Sequence, residues 1–341
     1  MKFNHLFTSA FVVGTVLLGC KGGGDATPQA ESARDTPTKS GGKRLKIAVI
    51  PKGSTHEHWK SVHEGAERAA KELGNVKIDW KGPINEGDRE SQVKIVEDFV
   101  ATHVDGIVLA PLDDVALKAP VKEAAASDIP TVVFDSPLAD GNKAVSLVAT
   151  DNEKGGRIAG QELAKLLGDK GTVAVLKYEV GSASTALREK GFFDEMAKHP
   201  GIKVVAQQYG GTTVDAAQKI AENMIQPLKK GDGLSIDGIY AVNESTTFGM
   251  LLALQSAGVA GKVKFVGFDA SSKLIQGMRT GLIDGLVVQN PRQMGYLGVK
   301  TIVSKVEGKP FQALIDTGVE FVTKANVDTP KIAALIAPPK I

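Results

Sequence analysis

The feature that most constrains this chain is a regular change of hydrophobic period. From Leu45 onward, short β-branched, apolar runs alternate with longer stretches whose apolar residues recur at helical spacing. The runs are Leu45–Ile50, Val76–Trp80, Gly106–Ala110, Thr131–Phe134, Val145–Ala149, Thr172–Lys177, Lys203–Gln208, Gly238–Val242, Val263–Phe268 and Gly285–Gln289. Between and after them lie amphipathic segments at Trp59–Leu73, Arg89–Thr102, Leu117–Ser127, Glu153–Leu167, Thr185–Lys198, Val214–Pro227, Ser245–Ala257, Ser272–Thr280 and Pro291–Lys305. Strands alternating with helices form βαβ units, so the fold class is α/β with mostly parallel sheets. Ten strand segments before residue 290 overfill one comfortable sheet. Two sheets of about five or six strands are expected, with the break near Ala149–Asp151. Aromatic residues make up only 5% while Ala, Gly and Val dominate, as suits close helix packing on buried parallel strands.

The N-terminus reads as an export signal. Lys2 supplies the positive end, and Leu6 to Leu18 is mostly apolar and uncharged. That stretch is too short for a bilayer-spanning helix, which needs roughly 20 apolar residues. Leu17-Leu18-Gly19-Cys20 then resembles a bacterial lipobox. The expectation is a signal peptide over residues 1–19, cleaved before Cys20, whose thiol carries a lipid. Cys20 is the single cysteine, so no intrachain disulfide is available and the fold rests on its core. Residues 20–43, rich in Gly, Ser, Thr, Pro and charge, read as a flexible tether.

A formal net charge of +2 points to neither nucleic acid nor a strongly acidic partner. Pro51-Lys52-Gly53-Ser54-Thr55-His56 lacks the G-x-G-x-x-G of a dinucleotide site, and neither a P-loop lysine motif nor a G-x-S-x-G elbow occurs. Gly181 to Thr185 offers hydroxyls with no histidine–carboxylate pair placed to activate them. His56, His58 and His63 invite a metal reading, but zinc needs three or four convergent ligands and no second His/Cys cluster follows. No cofactor, metal or catalytic residue is therefore expected.

Open parallel sheets bind ligands beyond the carboxyl ends of their strands. The polar residues there are Lys52 to Trp59, Asp135-Ser136, Thr150-Asp151, Gly181 to Arg188, Tyr209 to Thr213, Asn243-Glu244, Asp269 and Gln289-Asn290. Six motifs occur in order, five of them overlapping this set: Ile107 to Asp113 (IVLAPLD), Ile129 to Asp135 (IPTVVFD), Asp151 to Arg157 (DNEKGGR), Tyr240 to Glu244 (YAVNE), Val266 to Asp269 (VGFD) and Val288 to Pro291 (VQNP). Together they resemble the sugar-binding proteins of bacterial ABC importers, the ribose/allose/galactose-binding group, over roughly Leu45 to Val322.

The resemblance implies the type I periplasmic binding protein fold: two Rossmann-like lobes joined by a hinge that the chain crosses three times. The first lobe would comprise residues 44–150 and 290–318, the second 151–289 and 319–341. It implies ligand contacts from Asp135, Asn243, Asp269 and Gln289, a stacking ring from Trp59, a lysine contact from Lys52, and an arginine at Arg188. His56 and His58 stand where the group often has Asn and Phe, and are expected to touch ligand. Ser136 and Ala186 replace arginines that the group often carries, which moves the expected ligand from ribose toward a pyranose or a polyol. The implied protein is a monomer outside the cytoplasmic membrane, tethered by lipid, that hands its ligand to an ABC permease. A sensory protein for a sugar-like signal, docking on a receptor kinase or chemoreceptor, is the second reading; a lipoprotein enzyme is the third.

Overall fold

The computed structural model describes residues 43–140 and 143–341. The expected signal peptide, Cys20 and nearly all of the tether lie outside the described residues. The elements are β1 (Leu45–Ile50), α1 (Glu57–Leu73), β2 (Val76–Trp80), α2 (Arg89–Ala101), β3 (Gly106–Leu109), α3 (Lys118–Ala126), β4 (Thr131–Phe134), β5 (Ser146–Ala149), α4 (Asn152–Leu167), β6 (Gly171–Lys177), α5 (Ala183–Met196), β7 (Ile202–Tyr209) and α6 (Val214–Ile225). A small hairpin of β8 (Lys229–Lys230) and β9 (Gly233–Leu234) follows. Then come β10 (Gly238–Ala241), α7 (Glu244–Ser256), β11 (Lys264–Phe268), α8 (Ser272–Arg279), β12 (Gly285–Gln289), α9 (Pro291–Val306), β13 (Leu314–Asp316), β14 (Val319–Val322) and α10 (Pro330–Leu335).

The larger strands form two six-stranded sheets, ordered β13-β5-β4-β3-β1-β2 and β14-β12-β11-β10-β6-β7. Each sheet with its covering helices makes one lobe. Every pairing in the first sheet is parallel. In the second, β14 runs antiparallel to β12. The chain passes between sheets after β5, after β12 and between β13 and β14. Sequence periodicity missed β13 and β14 because both are short edge strands without a continuous apolar run. Leu314 is 68% exposed and its neighbours alternate between partial and full exposure.

Strands buried on both faces explain the near-continuous apolar runs. In β1, Ile47 and Val49 pack under α1 and α9, whereas Ala48 and Ile50 pack under α2 and α3. In β10, Ile239 and Ala241 face α6 and α7, whereas Tyr240 faces α4 and α5. The helix pairs α1/α9 and α4/α5 touch backbone to backbone. A Cβ at Gly65 would lie 1.9 Å from the Arg292 carbonyl oxygen, and one at Gly295 would lie 2.0 Å from that of Val62. The second lobe repeats the arrangement with Gly156 against Arg188 and Gly191 against Glu153. In each sheet the strand order reverses at a switch point, β2-β1-β3 in one and β7-β6-β10 in the other, and the loops leaving these strands converge between the lobes.

Candidate functional site

Two carboxylates occupy equivalent places in the two lobes. Asp135 follows β4 with φ +62°, and its N–H donates to Val148 O on β5 at 3.0 Å. Asp269 follows β11 with φ +71°, and its N–H donates to Val287 O on β12 at 2.8 Å. Left-handed backbone is costly for most L-residues, and aspartate is among the few that tolerate it. The turn aims each buried side chain into the space between the lobes.

From the first lobe, Lys52 leaves β1 and places Nζ 3.2 Å from Asp135 Oδ2, while donating across the gap to Ser184 Oγ at 3.0 Å. His58 places Nε2 3.2 Å from Asp135 Oδ1, off the line of a good hydrogen bond. Trp59 is buried, edge-on to Phe134, and its Nε1 donates to Glu86 Oε1 at 2.6 Å. His56 Nδ1 pairs with the same Glu86 oxygen, and the Tyr178 hydroxyl reaches from the second lobe to Glu86 Oε2.

From the second lobe, Asp269 Oδ1 accepts from Gln289 Nε2 at 2.7 Å and Oδ2 accepts from the Glu244 N–H at 3.0 Å. Arg188 is buried over the Phe268 ring and donates to Asn152 Oδ1 at 2.8 Å and to Val242 O at 3.0 Å. Asn243 caps α7, its side chain accepting from the Thr246 N–H at 3.2 Å within a capping box. The helix-cap role of that residue type is therefore realised at Asn243, alongside its place in the cleft wall. The lobes also exchange carboxylates. Glu244 accepts from the Glu57 and His58 N–H groups at the start of α1, and Glu57 accepts from the Ser272 N–H and Oγ at the start of α8.

Burial and pairing set the protonation states. Burial disfavours charge on His56, but the Glu86 carboxylate, with Glu244 and Asp269 behind it, prevails and holds the imidazole at a pKa of about 9. The same pair works in reverse on Glu86: burial would raise it, while His56 and the Tyr178 and Trp59 donors bring it down to about 2. Asp135 is held well below the usual carboxylate range despite burial, by Lys52 and His58. His58 is raised because Asp135 and Asp269 outweigh its burial. Burial raises Glu244, partly offset by His56.

All nine residues singled out from the sequence line one cavity: Lys52, His56, His58, Trp59, Asp135, Arg188, Asn243, Asp269 and Gln289. Glu86, Tyr178, Ser182, Ser184, Thr185 and Glu244 complete it. Of these, Glu86 and Tyr178 lay outside every segment marked from the sequence. Glu86 comes from the loop between β2 and α2 at a sheet edge, and its partners are distant in sequence, so no local spacing announces it. His63 does not join His56 and His58. It stacks on Trp80 with ring centroids 4.2 Å apart. Among the described residues no group of three or more His, Cys, Asp or Glu side chains is arranged to hold a metal ion.

A family model described as a periplasmic binding protein domain matches residues 47–310. The D-allose-binding periplasmic protein of Escherichia coli is 31% identical over 75% of this chain and 83% of its own length. Two solved ABC transporter solute-binding proteins superpose with TM-scores of 0.81, each over 86% of this chain and 99% of its own. One, from Agrobacterium vitis with bound α-D-tagatopyranose, is 32% identical; the other, from Agrobacterium radiobacter in complex with D-arabinose, is 36% identical. With the two-lobed fold, the converging strand ends and a match over most of its length, this chain belongs to the periplasmic binding protein family.

Proposed function

We propose that the protein is the solute-binding component of an ABC importer and closes its lobes on a neutral monosaccharide, as a pyranose, or on a polyol. The observation that carries the ligand class is the charge pattern of the cleft. Four basic side chains (Lys52, His56, His58, Arg188) face four acidic ones (Glu86, Asp135, Glu244, Asp269) within one wall. A site so balanced gives no net reward for burying an ion. A hydroxyl, in contrast, accepts and donates at once. One inserted between Lys52 Nζ and Asp135 Oδ2 replaces a direct ion pair with two hydrogen bonds. Gln289 Oε1 and His58 Nε2 are buried with no hydrogen-bond partner among the described residues, which leaves further polar positions for hydroxyls.

The side chains bridge one another across the cleft and leave a cavity of about 30 Å³ between them. A sugar ring therefore enters an opened form, and its hydroxyls take over contacts that the side chains make among themselves. The assignment of residues 44–150 with 290–318 to one lobe and 151–289 with 319–341 to the other is supported by β13 joining the first sheet and β14 the second. Relatives named as a ribose import binding protein and an ABC transporter solute-binding protein favour transport over sensing.

Isothermal calorimetry against a panel of aldoses, ketoses and polyols tests the ligand class. Saturable binding of at least one supports it, and silence across the panel removes it. Lipid attachment at Cys20, export and tethering complete the proposal. Radiolabelled palmitate should enter the wild-type protein and not Cys20→Ser; equal labelling of both would refute the anchor. Light scattering of the soluble portion checks the expected monomer.

A further inference from the structure

Glu86 is buried, and three aromatic side chains from two lobes end on its carboxylate. Trp59 and His56 belong to the first lobe, Tyr178 to the second. A carboxylate has roughly four acceptor positions, so most of its capacity is spent on the protein itself. The approach is built in. A Cβ at Gly53 would lie 2.8 Å from Glu86 Cγ, so the glycine after β1 leaves the room through which the Glu86 stem enters. Two neighbouring segments of the first lobe are fastened to the same stretch of the second: Arg89 at the start of α2 donates through Nη2 to Val180 O at 2.6 Å, and the Asp114 N–H in the loop between β3 and α3 donates to Gly181 O at 3.0 Å. Opening the lobes parts Tyr178 from Glu86, whereas Trp59 and His56 travel with it.

We propose that Glu86 is a positioning residue of the cleft, through which Tyr178 of the closing lobe fixes the orientation of Trp59 and His56 of the other. This rests on the reading of the cleft as a sugar or polyol site. Glu86 acts through the indole and the imidazole, which form the wall against which a ring packs. A carboxylate that merely neutralised His56 would need neither the Trp59 nor the Tyr178 donor. Glu86, Glu244 and Asp269 all face His56, so its titration reports on all three, and substitution at 86 isolates one of them.

The test uses Glu86→Gln, Tyr178→Phe and Gly53→Ala, each in a Trp80→Phe background, so that Trp59 is the sole remaining tryptophan. Ligand-free readouts are the Trp59 emission spectrum and quencher access, and the His56 imidazole titration by NMR. The ligand readout is the dissociation rate of whichever monosaccharide or polyol the panel identifies. Tyr178→Phe should alter Trp59 emission, leave most of the His56 titration in place, and speed dissociation roughly tenfold, the equivalent of one hydrogen bond to a charged group. Glu86→Gln should bring the His56 midpoint down toward the ordinary histidine range and change the emission further. Gly53→Ala should resemble Glu86→Gln in emission while keeping the carboxylate.

Unchanged emission in both Tyr178→Phe and Glu86→Gln overturns the proposal, as does a wild-type dissociation rate in Glu86→Gln. Should the wild type take no panel member, the ligand class fails by itself, and the emission and titration data still decide the role of Glu86.

Discussion

Replacing Asp269 separates backbone strain from lost hydrogen bonds. The residue holds φ at +71°, accepts from Gln289 Nε2 and the Glu244 N–H, and lies 3.9 Å from Arg188 Nη1. Asp269→Ala places an ordinary L-residue in left-handed backbone, at about 1–2 kcal/mol. It also leaves two buried donors without an acceptor, at about 1–3 kcal/mol each. The expected loss of folding stability is therefore about 3–8 kcal/mol, a large part of the ~5–15 kcal/mol that holds a typical domain together. Asp269→Gly loses the same hydrogen bonds without the strain, and should be the more stable of the two by about 1 kcal/mol despite the greater freedom of its unfolded chain. Asp269→Asn keeps the turn and one acceptor, with an expected cost of about 1–3 kcal/mol. Urea unfolding followed by both circular dichroism and fluorescence gives the ranking Asn, then Gly, then Ala. A wild-type midpoint for Asp269→Ala would refute the hydrogen-bond argument, and Ala at or above Gly would refute the strain argument.

The His56–Glu86 pair gives a pH window. The folded-state pKa of His56 is raised, so its contribution is complete below about pH 6.5 and fades as pH rises toward about 9; that of Glu86 is lowered, so its contribution is complete above about pH 4.5 and fades as pH falls toward about 2. The difference in urea midpoint between wild type and His56→Phe should shrink from pH 6.5 to 9, and a constant difference would contradict the pairing. Trp59→Ala should lose about 3–5 kcal/mol of stability, since it empties a core position as well as a cleft wall, whereas Trp59→Phe should lose about 1 kcal/mol with its hydrogen bond to Glu86; a wild-type midpoint for Trp59→Phe would show that the indole nitrogen does nothing, and a loss equal to that of Trp59→Ala would refute the packing role of the ring. Gly65→Ala should cost about 1–3 kcal/mol through its clash with the Arg292 carbonyl, against a helix-propensity gain of at most about 1 kcal/mol, and a stabilised variant would mean that α1 and α9 separate freely.

The order of strands and helices was legible because each parallel strand is buried on both faces and each helix on one, and burial writes itself into sequence period. The short edge strands β13 and β14 carry half-exposed residues and left no such record. The cleft was legible for a different reason. Asp135, Asn243, Asp269 and Gln289 stand at the ends of strands, where a parallel sheet directs its loops, and their motifs come in a fixed order. Glu86 and Tyr178 were not, because a pair 92 positions apart is made by closing one lobe on the other. The sequence also could not show that Asp269 is engaged by the protein through both of its oxygens, or that Arg188 is held by Asn152 and a backbone carbonyl. Those partners are set by tertiary geometry.

The glycine contacts between α1 and α9 make a lever without play. Helix α1 carries His58 and Trp59 at its N-terminal end, and α9 begins just beyond Gln289, where the chain has crossed from the second lobe. With backbones seated against each other there is no compliant layer of side chains to absorb a small rotation. Seventeen residues of α1 span about 25 Å. A tilt of about 5° imposed at the cleft would then displace the far end of that helix by about 2 Å, on the outer surface of the lobe. Occupancy of a buried pocket would thus be legible from outside, to anything resting against that end.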